Sequence, residues 1–354
     1  MTSVGGLRRR SLDALSRPSY SVTSKDMLLL NDNSNLFGVN PAAIEVAEKF
    51  DFSRLWAYPS ENSDSLRARL AEEYGVSQDE VIVGNGSDEL LDIAVKTFIN
   101  PGDVVCFPTP TFSMYQFYSR VNMALVIEKP LREDFSLDPQ GILDEAPKLA
   151  VICQPNNPTS RLFDPDAVRE VLSGSPGIVL IDEAYADFCG SSMLADVMSS
   201  ERGLDLRTCS KAVGLAGLRA GFAIARREVI DELRRVRTPF GLNSFTEAVV
   251  IGSLDNPSWV RSKVSEMMQE REYLALRLSE LGFKVYPSDS NYLLCKCPVN
   301  GPNLVRDLKS RGVVVRDCGS FAMLEDHIRV TIGPRPMLDR FLGSLRELLP
   351  GVTP

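Results

Sequence analysis

Two stretches of this chain, Leu149–Cys153 and residues 178–181, are apolar at every position. A strand with one face in water alternates apolar and polar residues. Unbroken apolar runs of this length instead suit strands buried on both faces, the habit of a parallel sheet covered by helices. Around them short strands and helices alternate. Strands are expected at 81–83, 103–107 and 124–128, and helices at 41–50, 65–74, 87–99 and 112–120, with Pro41 in the first turn of one and Gly75 ending another. Residues 207–209 and 221–225 read as strands flanking a loop. The fold class expected is therefore α/β, a mainly parallel sheet with helices on both faces.

Near residue 250 the pattern changes. Residues 247–281 read as mostly helical with a break at Asn256-Pro257, followed by short strands at 284–286, 292–296, 313–316 and 328–332 and two helices. The expected organisation is an N-terminal arm over 1–36, a large domain over 37–249 and a smaller α+β domain over 250–354. A chain of 354 residues has room for two such cores.

Composition removes several classes. With 44% hydrophobic and 24% charged residues the chain is ordinary for a soluble protein, and no run is long enough to span a membrane. Residues 1–10 lack the apolar segment of a secretory signal. Arg8-Arg9-Arg10 reads as a solvated arm and not a nucleic-acid patch, because the net charge is −8 and no wider basic stripe accompanies it. Seven scattered cysteines, none in a Cys-x-x-Cys pair, suit reduced thiols in a cytoplasm. The single histidine, His327, lies in a strand-like run and reads as partly exposed. One histidine cannot assemble a zinc site of the usual spacing, so no metal is expected. Acid–base chemistry must then fall to a lysine, a carboxylate or a tyrosine.

The loop between the strands at 207–209 and 221–225 holds a lysine of suitable kind. Lys211 stands among Ser210, Ala212, Gly214, Ala216 and Gly217, with Thr208 before it and Arg219 after. Small residues leave room for a bulky group beside the amine. The hydroxyls and the guanidinium offer donors to a phosphate. This suits a lysine that forms a Schiff base with pyridoxal 5′-phosphate (PLP). Gly84-Asn85-Gly86-Ser87-Asp88 links a strand to a helix whose first N–H groups can receive a phosphate, although alone it is a common strand–helix turn. Asp182 ends a buried strand, where α/β sheets bind ligands. A carboxylate there can keep a pyridine nitrogen protonated, and Tyr185 is placed to reach a ring hydroxyl. Read alone, Asp182 is a helix cap or a sheet-edge acid. The loop 154–159, with Pro155 and Pro158, offers Asn157 to a ring oxygen. Phe112 is a stacking surface or a core aromatic.

Together these segments resemble PLP enzymes of the aspartate aminotransferase fold (fold type I), and within it the histidinol-phosphate aminotransferase family. The matched patterns are Tyr58-Pro59, Gly84-Asn85-Gly86-Ser87-Asp88-Glu89, Pro155-Asn156-Asn157-Pro158-Thr159, Asp182-Glu183-Ala184-Tyr185, Ser210-Lys211-Ala212 through Gly217-Leu218-Arg219, and Ile328-Arg329-Val330-Thr331-Ile332-Gly333. The resemblance implies that Lys211 carries PLP and acts as general base, and that Asp182 pairs with the pyridine nitrogen. Tyr185 and Asn157 would meet the ring oxygen, and Phe112 would stack on the ring. Ser87, Asp88, Thr208, Ser210 and Arg219 would surround the phosphate. Arg329, Arg316, Tyr20 and Asn33 would line the substrate pocket, and Tyr58 would reach the active site of the other subunit in a homodimer. L-Histidinol phosphate donating to 2-oxoglutarate is the expected reaction. An aromatic or other amino-acid aminotransferase, or a decarboxylase similar to threonine-phosphate decarboxylase, is the alternative. The chain departs from the family where Ser34 and Leu36 replace the glutamate and proline of an Asn-Glu-Asn-Pro run, where Phe112 replaces a tyrosine, and at Gln154 and Ser160. At Phe112 stacking survives and a hydroxyl contact is lost; the other changes fall on the substrate side. A PLP-responsive regulator is set aside because the arm leaves no room for a helix-turn-helix. A dinucleotide dehydrogenase is set aside because no Gly-x-Gly-x-x-Gly opens a helix.

Overall fold

Alternate residues of Leu149–Cys153 enter different cores. Leu149, Val151 and Cys153 pack with Leu90, Leu91, Leu180 and Leu204, whereas Ala150 and Ile152 pack with Phe163, Val168 and Ile181. Successive side chains of a strand point to opposite faces, so both faces of this sheet are covered, as the unbroken apolar runs predict. The computed structural model describes residues 9–12, 15 and 26–349.

In chain order the strands are β1 (Leu28–Leu30), β2 (Val81–Gly84), β3 (Val104–Thr109), β4 (Leu125–Pro130), β5 (Leu149–Cys153), β6 (Ile178–Asp182), β7 (Gly203–Thr208), β8 (Gly221–Ile224), β9 (Lys284–Val285), β10 (Tyr292–Lys296), β11 (Val313–Asp317) and β12 (His327–Thr331). Seven of them form one sheet in the order β2-β8-β7-β6-β5-β3-β4. The run from β7 to β4 is parallel throughout, and β8 is antiparallel to both of its neighbours. The second sheet has the order β1-β11-β12-β10-β9. Its strands pair antiparallel except β1, which runs parallel to β11.

The helix boundaries follow local chemistry. Helix Asp64–Tyr74 ends on Gly75 in the left-handed conformation (φ 67°), which glycine adopts without steric cost. The expected break at Asn256-Pro257 separates Ser244–Leu254 from the 24-residue helix Pro257–Glu280, which starts on the proline. That long helix buries Met267, Leu274 and Leu278 in the core of the second sheet. The same core takes Leu28 and Leu30, so this part of the arm is a strand of the smaller sheet.

Two expectations need correction. His327 is buried, at 3% exposure. Its ring lies beside that of Tyr286, whose hydroxyl is 3.1 Å from Nε2, and Nδ1 is 2.8 Å from the Glu325 carbonyl. Its backbone is bonded to Cys318 and Leu324, the two ends of the preceding turn, so the alternation of a strand at a sheet surface does not apply. Strand β7 begins at Gly203, ahead of the expected 207–209, with Leu204 and Leu206 as its apolar pattern. Asp205 and Arg207 interrupt that pattern, yet both are buried because they pair with each other. Among the described residues no helix is long and apolar enough to cross a membrane, and all seven cysteines are free.

Candidate active site

A cavity of about 440 Å³ opens where the carboxyl ends of β3, β5, β6 and β7 meet β11 and β12 of the smaller sheet. Carboxyl ends of parallel strands are where open α/β sheets bind ligands.

One wall is built for an anion. The turn after β2 leads through Gly86 into helix Ser87–Phe98, so that Ser87 and Asp88 stand at a helix N-terminus. Gly86 has φ +87°, and a Cβ there would lie 2.6 Å from Nη2 of Arg219. Arg219 therefore presses onto bare backbone at the helix start, and its Nη2 donates to Asp88 Oδ2 at 3.0 Å. Gly221 of β8 is held equally close. A Cβ there would lie 2.3 Å from the Ser87 nitrogen. Thr208 and Ser210 complete this wall, the Thr208 hydroxyl accepting the Ser210 N–H at 3.1 Å. Backbone N–H groups, hydroxyls and a guanidinium form a phosphate-binding donor set.

Asp182 faces the middle of the cavity from the end of β6. Oδ1 accepts the Ala184 N–H at 3.1 Å and Oδ2 accepts the Tyr115 hydroxyl at 2.6 Å. Burial pushes its acid up to about 6, against those two hydrogen bonds, which lower it. Tyr185, three residues on, accepts from Asn33 Nδ2 at 3.0 Å, and burial raises its phenol to about 12. Asn157 lines the cavity from the loop after β5, and Phe112 from the loop after β3.

Lys211 reaches the same space from the loop between β7 and β8. Its Nζ donates to the Asp32 carbonyl at 2.8 Å and lies 5.8 Å from the centre of the Tyr185 ring. Burial, together with the charge of Arg329, lowers the ammonium from 10.5 to about 8. Near neutrality a useful fraction of this amine is unprotonated and nucleophilic.

The smaller sheet supplies a second cationic wall. Arg316 on β11 and Arg329 on β12 are register partners, and both line the cavity. Arg329 donates through Nη1 to Asn157 Oδ1 at 2.7 Å and through Nη2 to the Asn31 carbonyl at 2.5 Å. Its Nε is buried without a hydrogen-bond partner, an unspent donor at a ligand site. Asn33 lies between the sheets, its backbone bonded to Thr331 and Asn291.

Of the residues singled out in the sequence, Ser87, Asp88, Phe112, Asn157, Asp182, Tyr185, Thr208, Ser210, Lys211, Arg219, Arg316, Arg329 and Asn33 line this one cavity. Tyr58 does not. It is 84% exposed and packs against Phe240, with ring centres 5.0 Å apart. Tyr20 lies outside the described residues. His327 is not part of the lining. Sequence reasoning passed over Tyr115, because a tyrosine inside a helix reads as core. It also passed over Asp32, Cys318 and Phe321, which lie in loops without a chemical pattern. Behind the site, Arg207 pairs with Glu183 and with Asp205, the latter at 2.8 Å, and stacks on Tyr74. Glu183 follows Asp182 and Arg207 precedes Thr208, so this buried cluster ties together two strand ends that face the cavity. Among the described residues no group of histidine, cysteine and carboxylate side chains could hold a metal ion.

The donor set fits a flat ring that carries a phosphate and an aldehyde. A phosphate cradle, a buried carboxylate and an amine of lowered proton affinity face the same space. The comparisons with known proteins agree with this chemistry. A family model for aminotransferase class I and II matches residues 25–345. The histidinol-phosphate aminotransferase of Thermococcus gammatolerans is 37% identical over 341 residues, covering 95% of this chain and 96% of that one. That of Thermococcus kodakarensis is 40% identical over 292 residues, covering 82% and 83%. The crystal structure of histidinol-phosphate aminotransferase from Sinorhizobium meliloti in complex with pyridoxal-5′-phosphate superposes with a TM-score of 0.86 at 21% identity, over 92% of this chain and 91% of that one. With a lysine, an acid and two cationic walls around one cavity, and a family model spanning nearly its whole length, this chain belongs to the class I and II aminotransferases.

Proposed function

We propose that this enzyme binds PLP at Lys211 and transfers the amino group of L-histidinol phosphate to 2-oxoglutarate. The observation that carries the reading is the pair of cationic walls around one lysine. Arg219 stands on a loop of the larger sheet, and Arg316 and Arg329 stand on strands of the smaller one. A site for PLP alone needs one phosphate cradle. Two neighbouring guanidinium groups beyond it suit a second phosphate or a dicarboxylate. Donor and acceptor would use that wall in turn, the first through its phosphate and the second through its carboxylates. The names of the relatives, which are 37% and 40% identical, favour the same donor.

In this reading Ser87, Asp88, Thr208, Ser210 and Arg219 surround the cofactor phosphate. Asp182 faces the pyridine nitrogen, and Tyr185 and Asn157 the ring oxygen. Phe112 would stack on the ring. Bound there, PLP supplies an electron-poor ring that stores the electron pair left when a proton leaves the substrate. Lys211 would take that proton from the substrate α-carbon. An amine with its proton affinity lowered to about 8 suits this task, because a base is most effective near the working pH. Arg329 and Arg316 hold the anionic group, and Asn33 and Tyr20 contribute to the pocket.

The active unit in this reading is a homodimer in the cytoplasm. Phe52, Leu55, Trp56 and Tyr58 are more than half exposed within a few residues of each other. A second copy covering them would bring Tyr58 to its neighbour's cavity. The three parts of the chain, 1–36, 37–249 and 250–354, would then be a pocket-forming arm, a cofactor domain and a smaller substrate domain.

The test is a panel of amino donors assayed for glutamate formed from 2-oxoglutarate. L-Histidinol phosphate is expected to give the highest kcat/KM. A higher value with an aromatic amino acid would replace the substrate assignment, and carbon dioxide release without glutamate would replace the reaction.

A further inference from the structure

The side chain closest to Asp182 belongs to no sequence motif. Tyr115 lies in helix Met114–Val121 and is 1% exposed. Its hydroxyl reaches Asp182 Oδ2 at 2.6 Å. The ring is fixed from two sides, edge-on to Phe107 at 6.0 Å and to Phe112 at 5.5 Å. Phe112 itself lines the cavity. A phenol left buried without an acceptor would be costly, and here its acceptor is the acid that faces the cavity.

We propose that Tyr115 is a positioning residue that holds Asp182 ionised and turned toward the cofactor ring. The inference rests on the reading of this cavity as a PLP site. The carboxylate needs such help, because its surroundings oppose its charge. Asp88 faces it from helix Ser87–Phe98, Glu183 adjoins it on the chain, and Asp205 stands on the neighbouring β7. Those three are acids. Cys153 on β5 and Tyr185 beyond β6 are neutral groups whose own ionisation burial suppresses. Lys211 is the amine across the cavity. Against this set Tyr115 brings a strong donor. Its own ionisation is suppressed first by burial and then by Asp182, so the shared proton stays on the phenol and the negative charge on the carboxylate. The Ala184 N–H holds the other oxygen, and the two bonds together fix the plane of the carboxylate. The sequence neighbourhood supports the design. The loop carrying Thr111 and Phe112 leads directly into this helix, so one short segment supplies both the ring-facing aromatic and the donor to Asp182.

The experiment measures the dissociation constant of PLP from pH 5 to 9, by absorbance, for the wild type and for Tyr115→Phe. The phenylalanine keeps the ring and removes the donor. The acid-side loss of PLP affinity is expected to move upward by about one pH unit in Tyr115→Phe, a dissociation constant about fivefold larger near pH 6 and approaching about tenfold at pH 5. The titration of PLP's own phosphate is common to both proteins and cancels in the comparison. In an Asp182→Asn background the same substitution is expected to change PLP affinity less than twofold, because the donor no longer has a charge to hold. Replacing Tyr115 by 3-fluorotyrosine, a more acidic phenol of nearly the same shape, should move the acid limb the opposite way. This variant carries the test if the phenylalanine variant does not fold. Unchanged acid limbs in Tyr115→Phe and in the fluorotyrosine protein, or equal effects with and without Asp182, would overturn the proposal. Failure of the wild type to bind PLP at any pH would instead overturn the reading of the site.

Discussion

The amine of Lys211 stands 2.8 Å from the backbone carbonyl of Asp32. A loop of the larger sheet is thereby joined to the arm that supplies β1 to the smaller one. The carbonyl gives the amine an uncharged partner, and the charge of Arg329 repels its proton. Burial and that repulsion bring the ammonium down from 10.5 to about 8. In the apoprotein, the initial rate of PLP attachment should therefore rise about tenfold per pH unit below 8 and level off above it. Replacing Arg329 by leucine should move the midpoint upward. A wild-type midpoint near 10 would contradict this.

Asp182 carries the opposite shift. Its folded-state acid lies near 6 and its ordinary value is 3.8, so the folded chain binds more protons between those values. Stability must fall as pH rises from about 4 to 6 and stay lower above. Asp182→Asn should therefore stabilise the cofactor-free protein at pH 8 by up to about 3 kcal/mol while lowering kcat at least about 100-fold. Urea titration and steady-state rates check the two halves. A variant that is less stable and fully active would refute both.

The Arg207 cluster should behave as a brace. Its guanidinium lies between the buried carboxylates of Glu183 and Asp205. Removing the cation leaves both acids without compensation. Arg207→Met is expected to lower stability by about 3–5 kcal/mol, read by urea denaturation at pH 8. A loss below about 1 kcal/mol would mean that the cluster is solvated.

Arg329 should be sensitive even to a change that keeps its charge. It makes two directed hydrogen bonds and keeps a third donor free. A lysine cannot reproduce that fork. Arg329→Lys is expected to lower kcat/KM for 2-oxoglutarate at least tenfold, a loss of about 1.4 kcal/mol in transition-state binding. Kinetics at saturating amino donor check this, and an unchanged kcat/KM would exclude Arg329 from acceptor binding.

Much of this arrangement is legible in the sequence because backbone and cofactor chemistry leave local traces. The unbroken apolar runs of β5 and β6 mark strands covered on both faces. The glycines before Ser87 mark a helix start that something must approach closely, and the small residues around Lys211 mark space. What stayed hidden depends on tertiary pairing. Asp205 and Arg207 look like surface residues in a linear reading, and they are buried because they pair with each other and Glu183, just beyond β6, pairs with Arg207. His327 looks half-exposed until Tyr286, from a distant part of the chain, packs beside its ring. Tyr115 looks like core packing, since nothing local says that its hydroxyl meets Asp182, 67 positions away. Tyr58 matches a motif and yet stands on open surface, and the role proposed for it needs a second copy of the chain.

The central claim is that Lys211 is the attachment point of PLP. Incubation with PLP, reduction with borohydride, and peptide mass spectrometry test it directly. The account predicts a single stoichiometric phosphopyridoxyl adduct on Lys211, absent from Lys211→Ala protein that still folds. Stoichiometric adducts on another lysine, with Lys211 unmodified, would contradict it.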